Sequence, residues 1–135
     1  MVALLSIAQA EFTRADTGIV TDSQTGLEWQ DSYVNNSVPY KYANDAINYC
    51  NDLDLEGTGW RLPNINELKS LIVDTQFAPS IDAVFQNTVN NYYWSSTTRK
   101  TSSDYRWSIN FENATITNAR PIQNSNYYSY IRCVR

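Results

Sequence analysis

Gly59-Trp60-Arg61-Leu62-Pro63-Asn64-Ile65-Asn66-Glu67-Leu68, residues 59–68, is the stretch on which the fold turns. Asn64 and Glu67 stand three apart, the spacing at which a helix N-cap and its third residue satisfy each other's backbone N–H groups. Pro63 keeps the preceding chain extended, so a helix starts here and not earlier. Its apolar stripe, Ile65, Leu68, Leu71 and Ile72, predicts that it ends near Asp74. The glycines of Gly57-Thr58-Gly59 separate it from whatever comes before.

What comes before is a second helical pattern. Ala43, Ala46, Ile47, Cys50 and Leu53 recur at three- and four-residue spacing within Tyr42–Leu53, which gives a helix with one buried stripe and Cys50 on it. Further upstream, Ile19–Asp22 and Leu27–Gln30 flank Ser23-Gln24-Thr25-Gly26, the pattern of a β-hairpin. Downstream of the second helix, a loop with Pro79 and a short turn around Ile81–Phe85 lead to strands from Tyr92 onward. Tyr105, Trp107, Ile109 and Phe111 alternate with Arg106, Ser108, Asn110 and Glu112, so one face of that strand is expected to be buried. A turn at Glu112-Asn113 leads to Ala114–Thr117, a polar stretch follows over Asn118–Asn126, and Tyr127–Arg135 forms the last strand. Alternation there turns Ile131 and Cys133 inward and Tyr128 and Tyr130 to the opposite side.

A hairpin, two helices and several antiparallel strands make an α+β domain with closely placed ends. At 135 residues the chain fits one domain able to bury roughly two-thirds of its unfolded surface. Residues 11–135 are read as that domain. Residues 1–10 are apolar and end in Ala8-Gln9-Ala10, a signal-peptidase pattern, and are read as a signal-peptide remnant, with a short N-terminal strand as the alternative. No other segment approaches the roughly 18 apolar residues of a membrane span.

Composition narrows the chemistry. There is no His, which removes the commonest general base, the commonest zinc ligand and the usual partner of a nucleophilic Ser or Cys. Acidic residues such as Asp45, Asp52, Asp54 and Asp74 fall on helix surfaces and turns, as solvated groups rather than a glycosidase pair. The expectation is therefore a protein that binds rather than catalyses, without cofactor or metal. Two Cys are too few for a metal site; in an oxidising compartment they would pair, and two buried reduced thiols are the alternative.

Charge is uneven along the chain. Residues 1–92 carry four Lys/Arg against twelve Asp/Glu, whereas residues 93–135 carry six against two. Arg99, Lys100, Arg106, Arg120, Arg132 and Arg135 could form a positive patch suited to an anionic glycan, or a solvated surface without a partner. An isoelectric point near 4.6 argues against nucleic acid as a partner.

Gly26-Leu27-Glu28-Trp29-Gln30, Ala46-Ile47-Asn48-Tyr49-Cys50, Gly59-Trp60-Arg61-Leu62-Pro63 with Glu67-Leu68, Tyr93-Trp94-Ser95-Ser96 and Ile131-Arg132-Cys133-Val134-Arg135 together resemble the DUF1566 family, the C-terminal domain type of the Legionella collagen-like adhesin. The likeness spans about residues 18–135. It implies a C-type lectin-like fold, in which a first-helix Cys pairs with a last-strand Cys, here Cys50 with Cys133. It implies export, to the cell surface, the medium or the periplasm, and an adhesin-like role in binding a glycan or a protein. A more distant resemblance, through Arg61-Leu62-Pro63, is to formylglycine-generating enzymes, whose reactive Cys pair has no counterpart here. Calcium-dependent lectins carry Glu-Pro-Asn and Trp-Asn-Asp motifs; Trp94-Ser95-Ser96 offers hydroxyls and no carboxylate, so recognition is expected to be calcium-independent. Some variable proteins of diversity-generating retroelements use the same domain type, a further ligand-binding reading.

Within that family pattern Trp29, Trp60, Leu62, Pro63 and Trp94 read as packing residues, and Arg61 as a buried fork paired with Glu67 or backbone carbonyls, with a ligand clamp as the alternative. The ligand-contacting candidates are Tyr92, Tyr93, Arg120, Asn124, Asn126, Tyr127 and Tyr128, because Tyr and Asn supply aromatic area and adaptable hydrogen bonds at low entropic cost. Ordinary sheet packing of the tyrosines is the alternative, and a structural or assembly module without a small ligand is the alternative function.

Overall fold

The computed structural model describes residue 3, residues 11–121 and residues 127–135; side chains are described for all of these except 118–121. The remainder of the segment read as a signal peptide or strand lies outside the described residues. Two sheets and two helices make up the α+β fold. Strands β1 (Phe12–Arg14), β2 (Ile19–Asp22) and β3 (Glu28–Gln30) form an antiparallel sheet in that order. A single 3-10 turn at Val34–Asn36 leads to β4 (Tyr40–Lys41), α1 (Ala43–Asp52) and α2 (Ile65–Lys69), then β5 (Tyr92–Arg99), β6 (Ser102–Asn110), β7 (Thr115–Pro121) and β8 (Ser129–Tyr130). The second sheet runs β4-β8-β5-β6-β7. It is mixed rather than purely antiparallel, because β8 lies parallel to β5, with Tyr130 opposite Tyr93.

The hairpin forms as expected, with Thr21 opposite Glu28. Asp22 closes its turn by accepting from the Gln24 N–H at 2.9 Å and the Thr25 hydroxyl at 2.8 Å, while Gly26 takes a φ of 75° that side chains disfavour. Helix α1 buries Ala43, Ala46 and Cys50 on one stripe. Helix α2 has its capping box: the Asn64 side chain accepts from the Glu67 N–H at 2.9 Å and the Glu67 carboxylate accepts from the Asn64 N–H at 2.9 Å. It stops at Lys69, short of the expected Asp74, because the chain turns to bring Ile72 into a β-bridge with Ile81.

Two apolar clusters stabilise this frame. One gathers Val20, Trp29, Tyr33, Leu68, Leu71, Ile81, Phe85, Tyr93, Ile109, Phe111 and Val134; the other packs α1 and Cys50 against Trp60, Leu62, Trp94, Ile131 and Cys133. Trp29, Trp60 and Trp94 are thus core residues, as expected of large aromatics in that pattern. Strand β6 departs from the one-face expectation. Beyond Trp107 both of its faces are covered, so Ser108, Ile109 and Asn110 are buried in succession. The alternation fails because β6 is internal to its sheet, with Arg106 reaching the α1 backbone at the Ala43 carbonyl from one face and Ile109 packed in the first apolar cluster on the other. Strand β7 extends to Pro121, into the polar stretch that begins at Asn118.

The segment after β8 also breaks its alternation, for a related reason. Ile131, Arg132, Cys133 and Val134 are all buried. Instead of lying on a sheet surface, the chain runs between β3 and Arg61: the Gln30 N–H donates to the Cys133 carbonyl at 2.9 Å, and Val134 and Arg61 exchange two backbone bonds of 2.9 Å. Cys133 therefore sits in a bridging segment rather than in a regular strand. Its disulfide to Cys50, with Cα atoms 5.5 Å apart, fastens this segment to α1.

Candidate functional site

A buried ionic node lies between the two sheets. Asp31, directly after β3, is fully buried and pairs with Arg132 at 3.0 Å and with Arg14 of β1 at 3.0 Å. Its carboxylate also accepts the backbone N–H groups of Gln86 (2.8 Å) and Asn87 (3.2 Å). The fully buried Arg132 guanidinium donates to the Gln30 carbonyl (3.0 Å), the Asn87 carbonyl (2.8 Å) and the Thr88 hydroxyl (3.1 Å), and lies over the Phe85 ring at 4.7 Å. Charges taken out of water in this way persist only with such partners. The next residue of the same loop is held from below, since the Val89 N–H donates to the Tyr93 hydroxyl at 2.9 Å. Residues 86–89 are therefore clamped one after another by buried groups. Burial raises the Tyr93 and Tyr33 hydroxyls above the usual phenol range, so both stay neutral donors and acceptors.

The clamped loop forms one wall of a groove of about 380 Å³ lined by Asn36, Ser37, Val38, Gln86, Asn87, Thr88, Val89 and Tyr130. The opposite wall follows the 3-10 turn, where Asn36 adopts a φ of 54° and donates its N–H to the Tyr33 carbonyl at 3.0 Å. Tyr130 joins the groove to an aromatic face. Its ring lies 4.7 Å from Tyr40, which stacks on Tyr128 at 5.1 Å, and Tyr128 meets Tyr42 at 4.1 Å with their hydroxyls hydrogen-bonded. That hydroxyl contact, and then partial burial, raise the Tyr42 pKa. Tyr40, on the edge strand β4, is 52% exposed.

Of the residues expected to contact ligand, Tyr128 lies in this face and Tyr127 is exposed beside it. Tyr92 is half-buried at the start of β5. Tyr93 is corrected: it is fully buried, with its ring against Phe111, and acts from beneath the groove rather than on it. Arg120 stands opposite Arg106 in the β6–β7 register, its side chain outside the described residues, as are Asn124 and Asn126 altogether. Tyr40, Tyr42, Asn36 and Gln86 were missed because they lie in short segments without periodicity; the repeated tyrosines of Tyr40-Lys41-Tyr42 were the one available signal.

Three of the six cations are drawn away from a common surface patch. Arg132 is consumed by the ionic node, and Arg106 is buried against the Ala43 carbonyl, where burial lowers its pKa. Arg135 is tied to Glu28 at 3.2 Å and lies over the Trp60 ring at 4.4 Å. Arg61 forms the expected fork on Glu67, with two bonds of 2.7 Å, but its side chain is 45% exposed and not buried. The pair raises the Arg61 pKa and lowers that of Glu67, chiefly through their mutual hydrogen bonds.

A second cleft, of about 440 Å³, runs beside α1 and is lined by Lys41, Asp45, Asn48, Tyr49, Asp52, Leu53 and Asp54. Among the described residues no group of three or more acidic or Cys side chains is placed to hold a metal ion, and no helix is long and apolar enough to cross a membrane.

Fold, disulfide and aromatic face define a small disulfide-closed α+β domain. The chain belongs to the Lcl C-terminal domain family, that of the Legionella collagen-like protein, whose model matches residues 18–135. No curated protein matches the chain.

Proposed function

We propose that this protein is an extracytoplasmic recognition module that binds a glycan or protein without calcium, through the face formed by Tyr40, Tyr128 and Tyr130 and the groove beside it. The observation that carries this is the pairing of a tyrosine stack, half-buried at Tyr128 and Tyr130 and exposed at Tyr40, with a groove whose rim is clamped by the buried node. Rigid aromatic area bordered by amides and hydroxyls gives contact at low entropic cost, because little has to be ordered on binding. Family membership supports an adhesin-like role at a bacterial surface, and the disulfide suits an oxidising compartment. The link from first helix to C-terminal segment supports a relation to C-type lectin-like domains. Catalysis has no part in this function.

The test is binding of the full chain to a glycan array and to immobilised extracellular-matrix proteins, with and without a calcium chelator. Binding that survives chelation and falls at least tenfold in Tyr40→Ala supports the proposal. Binding that needs calcium, or none to any glycan or protein, overturns it.

A further inference from the structure

Eight side chains line the groove and none is charged. Asn36, Gln86, Asn87, Ser37 and Thr88 offer amides and hydroxyls, Val38 and Val89 supply apolar contact, and Tyr130 supplies a ring. The Asp31 carboxylate beneath is turned onto Arg14, Arg132 and loop backbone, and the Arg132 guanidinium onto Asp31, Asn87 and Thr88, with only its Nη1 lacking a hydrogen-bond partner. Ligand groups that fit such a lining present both hydroxyls and a patch of C–H, and carry no charge: an ionised ligand would lose hydration here and gain no counter-ion. A volume of about 380 Å³ lies in the roughly 300–1,000 Å³ range of small-molecule sites.

From this we infer that the groove is a subsite for one uncharged pyranose unit, held by hydrogen bonds from the Asn36, Ser37 and Gln86 side chains with a C–H face against Tyr130. The assignment rests on the recognition role proposed above and names the ligand class of its site. Asn87 and Thr88 are less free to serve, because the Asn87 amide already donates to the Asp31 carbonyl at 2.7 Å and the Thr88 hydroxyl accepts from Arg132. Polar contact with the sugar therefore falls mainly to Asn36, Ser37 and Gln86, two of them on the wall opposite the clamped loop. Both walls lead back to Arg132, which reaches the Asn87 carbonyl on one side and the Tyr33 hydroxyl at 3.4 Å on the other. The distance between the walls is thus set before any ligand arrives, which limits the ordering cost of binding.

The test is an amide NMR titration of the full ¹⁵N-labelled chain with methyl α-mannoside, methyl β-galactoside and methyl β-N-acetylglucosaminide, and separately with methyl β-glucuronide as the charged counterpart. The expected result is saturable binding of at least one neutral glycoside, with a dissociation constant on the order of 1 mM, and shifts concentrated at residues 36–38 and 86–89. An Asn36→Gly/Gln86→Ala variant should keep the spectrum of the folded protein and weaken binding at least tenfold; Gly accommodates the positive φ of Asn36. Shifts centred elsewhere, stronger binding of the glucuronide, an indifferent double variant, or no shift with any neutral glycoside would overturn the inference. If array binding to a protein or an acidic glycan persists in those cases, the recognition role stands and only this ligand class fails.

Discussion

Arg132 and Asp31 can be separated by a double-mutant cycle. Arg132→Met keeps the apolar stem but deletes the donations to Asp31, Asn87, Thr88 and Gln30. Removing one partner of a buried pair costs about 3–5 kcal/mol. Asp31 would retain Arg14 and two backbone N–H groups, which places this variant near the lower end of that range. Asp31→Asn leaves the Arg132 charge buried among neutral acceptors and should cost a similar amount. Because the two side chains touch, the double variant should lose about 1–3 kcal/mol less than the sum of the singles. The assay is urea unfolding followed by circular dichroism with the disulfide intact, and amide exchange at Gln86–Thr88 should quicken in Arg132→Met. A cost below about 1 kcal/mol for Arg132→Met, or additivity within about 0.5 kcal/mol, would refute the clamp.

Opening the disulfide releases a loop closed across 83 positions, and in the chain-entropy model this costs about 4–5 kcal/mol; the urea midpoint of Cys50→Ala/Cys133→Ala against the native chain measures it. Glu67 has its carboxyl pKa lowered by Arg61, so its contribution is full above the ordinary carboxylate range and is lost as pH falls through the lowered folded value. The exposure of Arg61 keeps that contribution to about 0.5–1 kcal/mol, and acid titration of Glu67→Gln should lack this part of the decline. Tyr40→Ala should cost only about 1 kcal/mol of stability, since its two ring contacts are half solvent-exposed, while weakening ligand binding at least tenfold by surface plasmon resonance.

Those residues whose roles are local were readable from sequence. The Asn64–Glu67 box, the Ser23–Gly26 turn and the α1 stripe each depend on neighbours within a few positions, so local sequence reveals them. The readings that failed depend on distant partners. Nothing near Arg132 in sequence announces that Asp31, 101 positions away, awaits it, and a late cation looks like surface until the fold places it in the interior. Ser108 and Asn110 were read as solvent-facing because alternation cannot reveal that a second layer covers the polar side. The groove was hidden for the same reason: its walls are 50 residues apart, and Tyr40 meets Tyr128 only because β4 and β8 are neighbours in the sheet. The tyrosine-rich C-terminal run does bring Tyr128 and Tyr130 beside Tyr40, whereas Tyr93 lies buried beneath them.

Hydrogen–deuterium exchange of the full chain, with and without the tightest-binding array ligand, tests the recognition face most directly. Ligand should slow exchange within residues 34–42, 86–89 and 127–130 and leave the acidic cleft at Lys41–Asp54 unchanged beyond its first two residues. Protection centred on Asp45–Asp54, or spread evenly over the chain, would contradict a binding face built on Tyr40, Tyr128 and Tyr130.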